Sequence, residues 1–145
     1  MNQILPFMLG SEVYALQLDD IQEIVEQRPI HPLPGVAEGI AGAIDFHGRV
    51  VVVIDLPLLL GFGSGARNER MIVLTNEHGP VALLVDQMRR IVGLDLLHST
   101  LSQSHSEADC IRGVINLDGE MISLLDLEQL SQMLEQICGD SGEQQ

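Results

Sequence analysis

Ile40-Ala41-Gly42-Ala43-Ile44-Asp45-Phe46-His47-Gly48, continued to Ile54-Asp55-Leu56, lines up without a gap on Ile111-Arg112-Gly113-Val114-Ile115-Asn116-Leu117-Asp118-Gly119, continued to Leu125-Asp126-Leu127. Earlier in each half, Ala15-Leu16-Gln17-Leu18-Asp19 matches Ala82-Leu83-Leu84-Val85-Asp86, and Ile24-Val25 then matches Ile91-Val92 in the same register. Two blocks recurring in the same order are the mark of an internal duplication. The spacing between the blocks differs by four residues, which puts a small insertion in the second repeat between Gly93 and Ile111. The polar, unpatterned stretch Ser99 to Ser106 is its expected place.

Each repeat reads as the same series of elements. A strand (Ile4 to Leu9; Met71 to Thr75) meets a turn (Gly10-Ser11-Glu12; Asn76-Glu77-His78-Gly79) and a second strand (Tyr14 to Leu18; Val81 to Val85). An Asp-led segment follows, with Ile21, Ile24 and Val25 in one repeat and Met88, Ile91 and Val92 in the other, a spacing that fits one helical turn or a kinked strand. His47-Gly48 and Asp118-Gly119 then sit between apolar runs, where glycine can take the positive φ of a tight hairpin turn. Val50 to Ile54 is apolar at every position and so reads as a strand buried on both faces. Short helices close the repeats, over Leu56 to Leu60 and over Leu127 to Ile137. The second places Leu127, Leu130, Met133, Leu134 and Ile137 on one face, with Gly139 as its stop.

Short, evenly spaced strands predict small barrels and not an open parallel sheet. A unit of about 60 residues is only marginally stable alone, so two such units should share an apolar seam, and the seam should leave a groove. The repeats span about residues 3–60 and 70–134, within one domain over 1–138, followed by a disordered tail over 139–145.

The chain has a net charge of −14, and all seven of its basic residues are arginine. Phosphate backbones are bound by lysine and arginine in numbers this chain lacks, so neither nucleic acid nor an anionic membrane is an expected partner. Three Phe, one Tyr and no Trp leave no stacking platform for single strands. Met1 to Leu9 runs directly into a strand pattern instead of a signal peptide. The most apolar stretch, Val50 to Phe62, is interrupted by Asp55 and Pro57 and is too short to cross about 30 Å of hydrocarbon. A cytoplasmic protein without membrane insertion is expected. Cys110 and Cys138 show no metal or redox spacing and read as reduced thiols.

Residues that could carry chemistry favour structural roles. Gly61-Phe62-Gly63-Ser64-Gly65-Ala66 lacks the strand-to-helix context and the Gly-Lys-Ser/Thr ending of a phosphate loop, and reads as a flexible connector between repeats. The histidines at 31, 47, 78, 98 and 105 have no metal-ligand spacing. Asp55 and Asp126 stand at matched places after apolar strands; as carboxylates they could serve acid–base chemistry, but their repetition favours capping of the short helices. No serine lies in a GxSxG elbow. No catalysis, cofactor or metal is expected.

Phe7-Met8-Leu9-Gly10 with Tyr14-Ala15-Leu16, Ile21-Gln22-Glu23-Ile24-Val25, Leu33-Pro34, Gly39 to Gly42, Val53-Ile54-Asp55-Leu56, Ala82 to Asp86, Ile91-Val92 and Ile115 to Leu127 together resemble the CheW-like domain in order and spacing. The resemblance covers about residues 3 to 134. It implies a mainly β fold of two intertwined five-stranded SH3-like barrels with a short C-terminal helix. It also implies a non-catalytic adaptor, bridging the CheW-like regulatory domain of a histidine autokinase and the cytoplasmic tips of chemoreceptors. By the same resemblance Ile21 and Glu23 fall where the family meets the kinase or shapes the first barrel, Gly42 and His47 belong to the adjoining hairpin, and Met88 and Ile91 line the receptor groove. Plain core packing is the competing explanation for the apolar ones.

The family's hairpin typically reads Asn-Leu-Arg-Gly, with the arginine paired to the acid equivalent to Glu23; here it is Asp45-Phe46-His47-Gly48. Histidine offers one donor at a time where arginine binds a carboxylate through two. An adaptor of a specialised pathway with non-standard partners, serving surface sensing, pilus motility or cyclic-dinucleotide output, is therefore an alternative. A small-molecule-binding β-barrel is a second; it would require a closed polar pocket.

Overall fold

The computed structural model describes residues 3–26, 28–63, 65–94, 99–102 and 110–142. In the first repeat, β1 (Gln3–Leu9) and β2 (Glu12–Gln17) form a hairpin, and a 3-10 turn (Leu18–Asp20) leads into β3 (Ile21–Glu26). A second hairpin, β4 (Ile40–Phe46) and β5 (Arg49–Asp55), runs into the one-turn helix α1 (Leu56–Leu59). The second repeat opens with β6 (Arg70–Leu74) and β7 (Val81–Leu84), joined through a 3-10 turn (Asn76–His78). It continues through β8 (Gln87–Met88), β9 (Val92–Gly93), β10 (Ser99–Ser102), β11 (Ile111–Leu117) and β12 (Glu120–Leu125) to α2 (Leu127–Gly142). The Asp-led segment, open between helix and strand, is a strand in both repeats, as β3 and as the shorter β8 and β9.

The strands make two mixed sheets, and each draws on both repeats. One has the order β10-β11-β12-β2-β1-β8 with β9 also on β1; the other is β3-β6-β7-β5-β4. The opening hairpin of each repeat has thus crossed into the other repeat's sheet, which is what intertwined means here. Register follows the duplication residue by residue. Val52 faces Val81 and Val53 faces Ala82 in the parallel pair of one sheet, while their equivalents, Ser123 with Tyr14 and Leu124 with Ala15, face one another in the other. The bulge between Ile40 and Gly42 recurs between Ile111 and Gly113.

Register also locates the insertion. An isolated bridge joins His31 to Ala43, and the equivalent positions, Ser102 and Val114, are paired between β10 and β11. Ser102 is therefore already in step with the later block, and the extra residues lie before it. This corrects the expectation that Ser99 to Ser106 is the unpatterned insertion: Ser99–Ser102 is an edge strand on β11. Residues 103–109 lie outside the described set.

Period-2 alternation distributes the side chains among three apolar clusters. On β7, Ala82 and Leu84 point into the interior of their own sheet with Val25, Ile44, Phe46, Val51, Val53, Met71 and Val73. Leu83 and Val85 point the other way, into a seam shared by both sheets with Leu5, Phe7, Leu16, Ile54, Ile72 and Leu125. On β2, Val13 and Ala15 face the other sheet's interior, with Ile4, Ile115, Ile122 and Leu124, and Tyr14 and Leu16 face the seam. The two opening hairpins are consequently buried on both faces, and the seam expected from the size of the repeats is present.

Three details depart from the sequence reading. Val50 is 70% exposed, so β5 is buried only from Val51 onward, because Arg49 and Val50 project past the partner strand β7, whose pairing begins at Val52. Helix α2 continues through Gly139 to Gly142. The glycine-rich connector is held down: the Phe62 amide donates to the Pro57 carbonyl at 2.7 Å, and the Phe62 ring meets Tyr14 edge-on at 6.0 Å. Among the described residues, no helix is long and apolar enough to cross a membrane.

Candidate protein-docking site

The first hairpin turn is tight: His47 and Gly48 have φ values of 51° and 81°, and Asp118 and Gly119, their equivalents, have 50° and 88°. A two-residue turn with both central φ values positive matches strand twist, and Asn or Asp before it can accept from the turn's last amide. The structure shows that bond in both repeats, from the Gly48 amide to Asp45 Oδ1 at 3.1 Å and from the Gly119 amide to Asn116 Oδ1 at 3.0 Å.

This turn aims His47 at β3. Its Nε2 lies 3.3 Å from Glu23 Oε1, and both side chains remain substantially exposed, at 63% and 45%. Glu23 and His47 belong to opposite ends of the strand order β3-β6-β7-β5-β4, so their contact, together with the Arg28 Nη1 bond to the Asp45 carbonyl at 3.1 Å, ties the sheet's two margins to each other. The expected acid–hairpin pairing is present, with histidine in the arginine's place. Gly42, on the same hairpin, is buried at φ 146°; a Cβ there would collide with the carbonyl of His31, which an isolated bridge to Ala43 holds against the strand. Gly42 thus has no side chain to present and acts by admitting that carbonyl.

Where the two sheets meet, Leu5, Ile24, Met88 and Ile91 line a groove of 380 Å³ together with Arg70, Arg89 and Arg90. Met88 is part-buried against the seam, whereas Ile91 is 46% exposed and belongs to none of the three clusters. Ile21 packs on the seam outside the groove's lining. Of the six residues picked from the sequence, the structure therefore gathers Met88 and Ile91 in the groove and Ile21, Glu23, Gly42 and His47 around β3 and the first hairpin. Sequence reasoning missed Leu5, Ile24 and the three arginines. Ile24 was readable, as the repeat equivalent of Ile91; the arginines sit on segments whose mutual approach only the fold creates.

Beneath these surfaces, Arg67 clamps the connector. Its Nε lies 2.8 Å from Asp55 Oδ1, its Nη1 2.8 Å from Asp86 Oδ1, and its Nη2 donates to the Gly63 carbonyl at 2.7 Å. Asp86 Oδ2 in turn accepts the Gly10 amide at 2.6 Å. Both aspartates proposed as caps are caps: Asp55 Oδ1 accepts the Leu58 amide at 3.3 Å and Asp126 Oδ1 the Gln129 amide at 3.1 Å. His78 hydrogen-bonds Asp20 at 2.9 Å with Glu77 beside it, a contact joining the two 3-10 turns. Those three side chains could each offer one ligand atom to a cation, a grouping the spacing of the histidines did not suggest.

The comparisons agree with this geometry. The model of the CheW-like domain matches residues 3–135. The chemotaxis protein CheW of Thermotoga maritima is 24% identical over 132 residues, covering 88% of this chain and 86% of that one. Protein FrzA of Myxococcus xanthus is 28% identical over 137 residues, covering 90% and 85%. The crystal structure of the scaffolding protein TtCheW from Thermoanaerobacter tengcongensis superimposes with a TM-score of 0.74 at 26% identity, covering 85% of this chain and 87% of that one. With its duplicated, strand-exchanged sheets and a family match that runs nearly from end to end, this chain belongs to the CheW-like domain family.

Proposed function

We propose that this protein is a non-catalytic, cytoplasmic adaptor that couples a histidine autokinase to chemoreceptor-type sensory proteins in a bacterial chemosensory pathway. The observation that carries the proposal is the open groove between two strand-exchanged sheets, with apolar walls from Leu5, Ile24, Met88 and Ile91. Such a cleft accepts the apolar stripe of a helix, and an unbranched methionine adapts to the ridges of a helical partner. Its neighbour, the Glu23–His47 margin with Ile21, is a separate exposed surface and takes the kinase's CheW-like regulatory domain. The relatives named for chemotaxis and scaffolding support the adaptor reading as a whole.

The histidine at position 47 favours a narrower version, in which the pathway is a specialised one with partners tuned to this hairpin. A small-molecule-binding barrel has less support. An apolar cavity of 220 Å³ against α2 is lined mainly by Leu74, Pro80, Val81, Leu127, Leu130 and Leu134. Of the two titratable residues on its lining, His78 and Glu135, His78 is already engaged by Asp20, so the cavity is not the closed polar pocket such a function requires. Titration of the whole chain with a receptor-tip fragment and, separately, with the kinase regulatory domain tests the proposal. Saturable binding to both is expected, and binding to neither removes it.

A further inference from the structure

The duplication carries one charge inversion that bears on the groove. Glu23 in the first repeat corresponds to Arg90 in the second, and His47 corresponds to Asp118, so an acid on the strand facing a base on the hairpin becomes a base facing an acid. The first pair is closed at 3.3 Å. The second is not: Arg90 and Asp118 have no ion pair between them, and among the described residues Arg90 has no hydrogen bond or ion pair at all. Its neighbour Arg89 is held instead by Glu120 at 2.6 Å, and Arg70 lies 4.0 Å from Glu26. Three of seven arginines thus line a single groove, in a chain with 21 carboxylate side chains, and among the described residues no carboxylate lines it with them. Arg90 is exposed beside Ile91, at the edge of an apolar surface, with no carboxylate partner among the described residues.

We propose that Arg90 selects the groove's partner: a helix whose apolar stripe is flanked by a glutamate or aspartate that the guanidinium grips. The inference rests on the groove being the receptor-docking site. Arginine suits the task because its planar fork binds a carboxylate through two donors and stays charged. A basic rim on an acidic protein also acts selectively, since any partner approaching elsewhere with a negative surface is repelled.

The test uses the whole chain and two forms of one receptor-tip fragment, one with Glu flanking the apolar stripe of the groove-facing helix and one with Gln there. At low salt the Glu form should bind about fivefold more tightly, the range of an exposed ion pair, and 0.5 M salt should remove the difference. Arg90→Gln should abolish the preference, so that the Glu and Gln forms bind alike. Arg90→Glu should reverse the preference. Equal binding of both forms by the unsubstituted chain, or an Arg90→Gln variant that still prefers Glu, overturns the role of Arg90 while the groove stands if Met88→Ala weakens both forms. Binding of neither form removes the groove reading, and this one with it. Displacement of both forms alike by millimolar inorganic phosphate would assign the arginines to a small anion instead, and would also overturn the proposal.

Discussion

Arg67 reaches from the connector to carboxylates on two different segments, and its side chain is only 11% exposed. Arg67→Met would leave Asp55 and Asp86, both mostly shielded, without their shared counter-charge. Breaking such a pair from one side costs about 3 kcal/mol, and urea denaturation should show that loss, with Arg67→Lys intermediate because an ammonium cannot span both acids. Gly42 is the other sensitive position. Gly42→Ala must both hold a φ of 146° and displace the His31 carbonyl, and should cost about 2 to 4 kcal/mol, measured as a lower urea midpoint at unchanged slope. His47 behaves differently, since its contact with Glu23 is exposed and contributes at most about 1 kcal/mol to folding. His47→Arg should leave stability within that margin and tighten binding to an ordinary kinase regulatory domain or receptor tip several-fold. Unchanged affinity for both would show that the hairpin lies outside the contact.

At the scale of elements, the same device appears twice with unequal burdens. Asp126 does little beyond capping α2, so Asp126→Ala should lower stability by about 1 kcal/mol, the usual worth of an N-cap. Asp55 caps α1 and also anchors Arg67, so Asp55→Ala should cost clearly more, and thermal unfolding of the two variants side by side measures the gap. The hairpins show why local sequence was so informative here. Asp45 and Asn116 satisfy an amide within their own turn, and His47-Gly48 and Asp118-Gly119 adopt positive φ there, so these features arise within four residues of chain. The Asp-led segment was ambiguous for the opposite reason. Ile21, Ile24 and Val25 have a spacing compatible with helix, and β3 forms because β6 offers an antiparallel edge at Val73 and Ile72.

For the whole molecule, exchange of the opening hairpins has a direct consequence. The β1–β2 hairpin completes the second repeat's sheet and β6–β7 completes the first's, so a chain cut in the connector leaves each half with part of both sheets. Fragments 1–62 and 66–145, expressed separately, should each lack cooperative unfolding by circular dichroism, and mixing them should restore it. Independent folding of either fragment would show that the exchange is not required. The intact chain should unfold in one transition, because the seam from Leu5 and Phe7 to Leu125 and Leu130 joins both sheets in one apolar cluster.

The sequence by itself determined the duplication, both hairpins, both caps and the need for an apolar seam, since each rests on local chemistry or on patterns repeated along one chain. It also placed Met88 and Ile91 beside a groove and Glu23 against His47, through family resemblance. Only the tertiary structure decided which strands the intertwined repeats exchange, that Arg67 clamps the connector, and that Arg70, Arg89 and Arg90 converge beside Ile24. These depend on which distant surfaces meet. Parallel pairing of β2 with β12 and of β5 with β7 sets that choice, through side chains far apart in sequence whose burial no local pattern encodes.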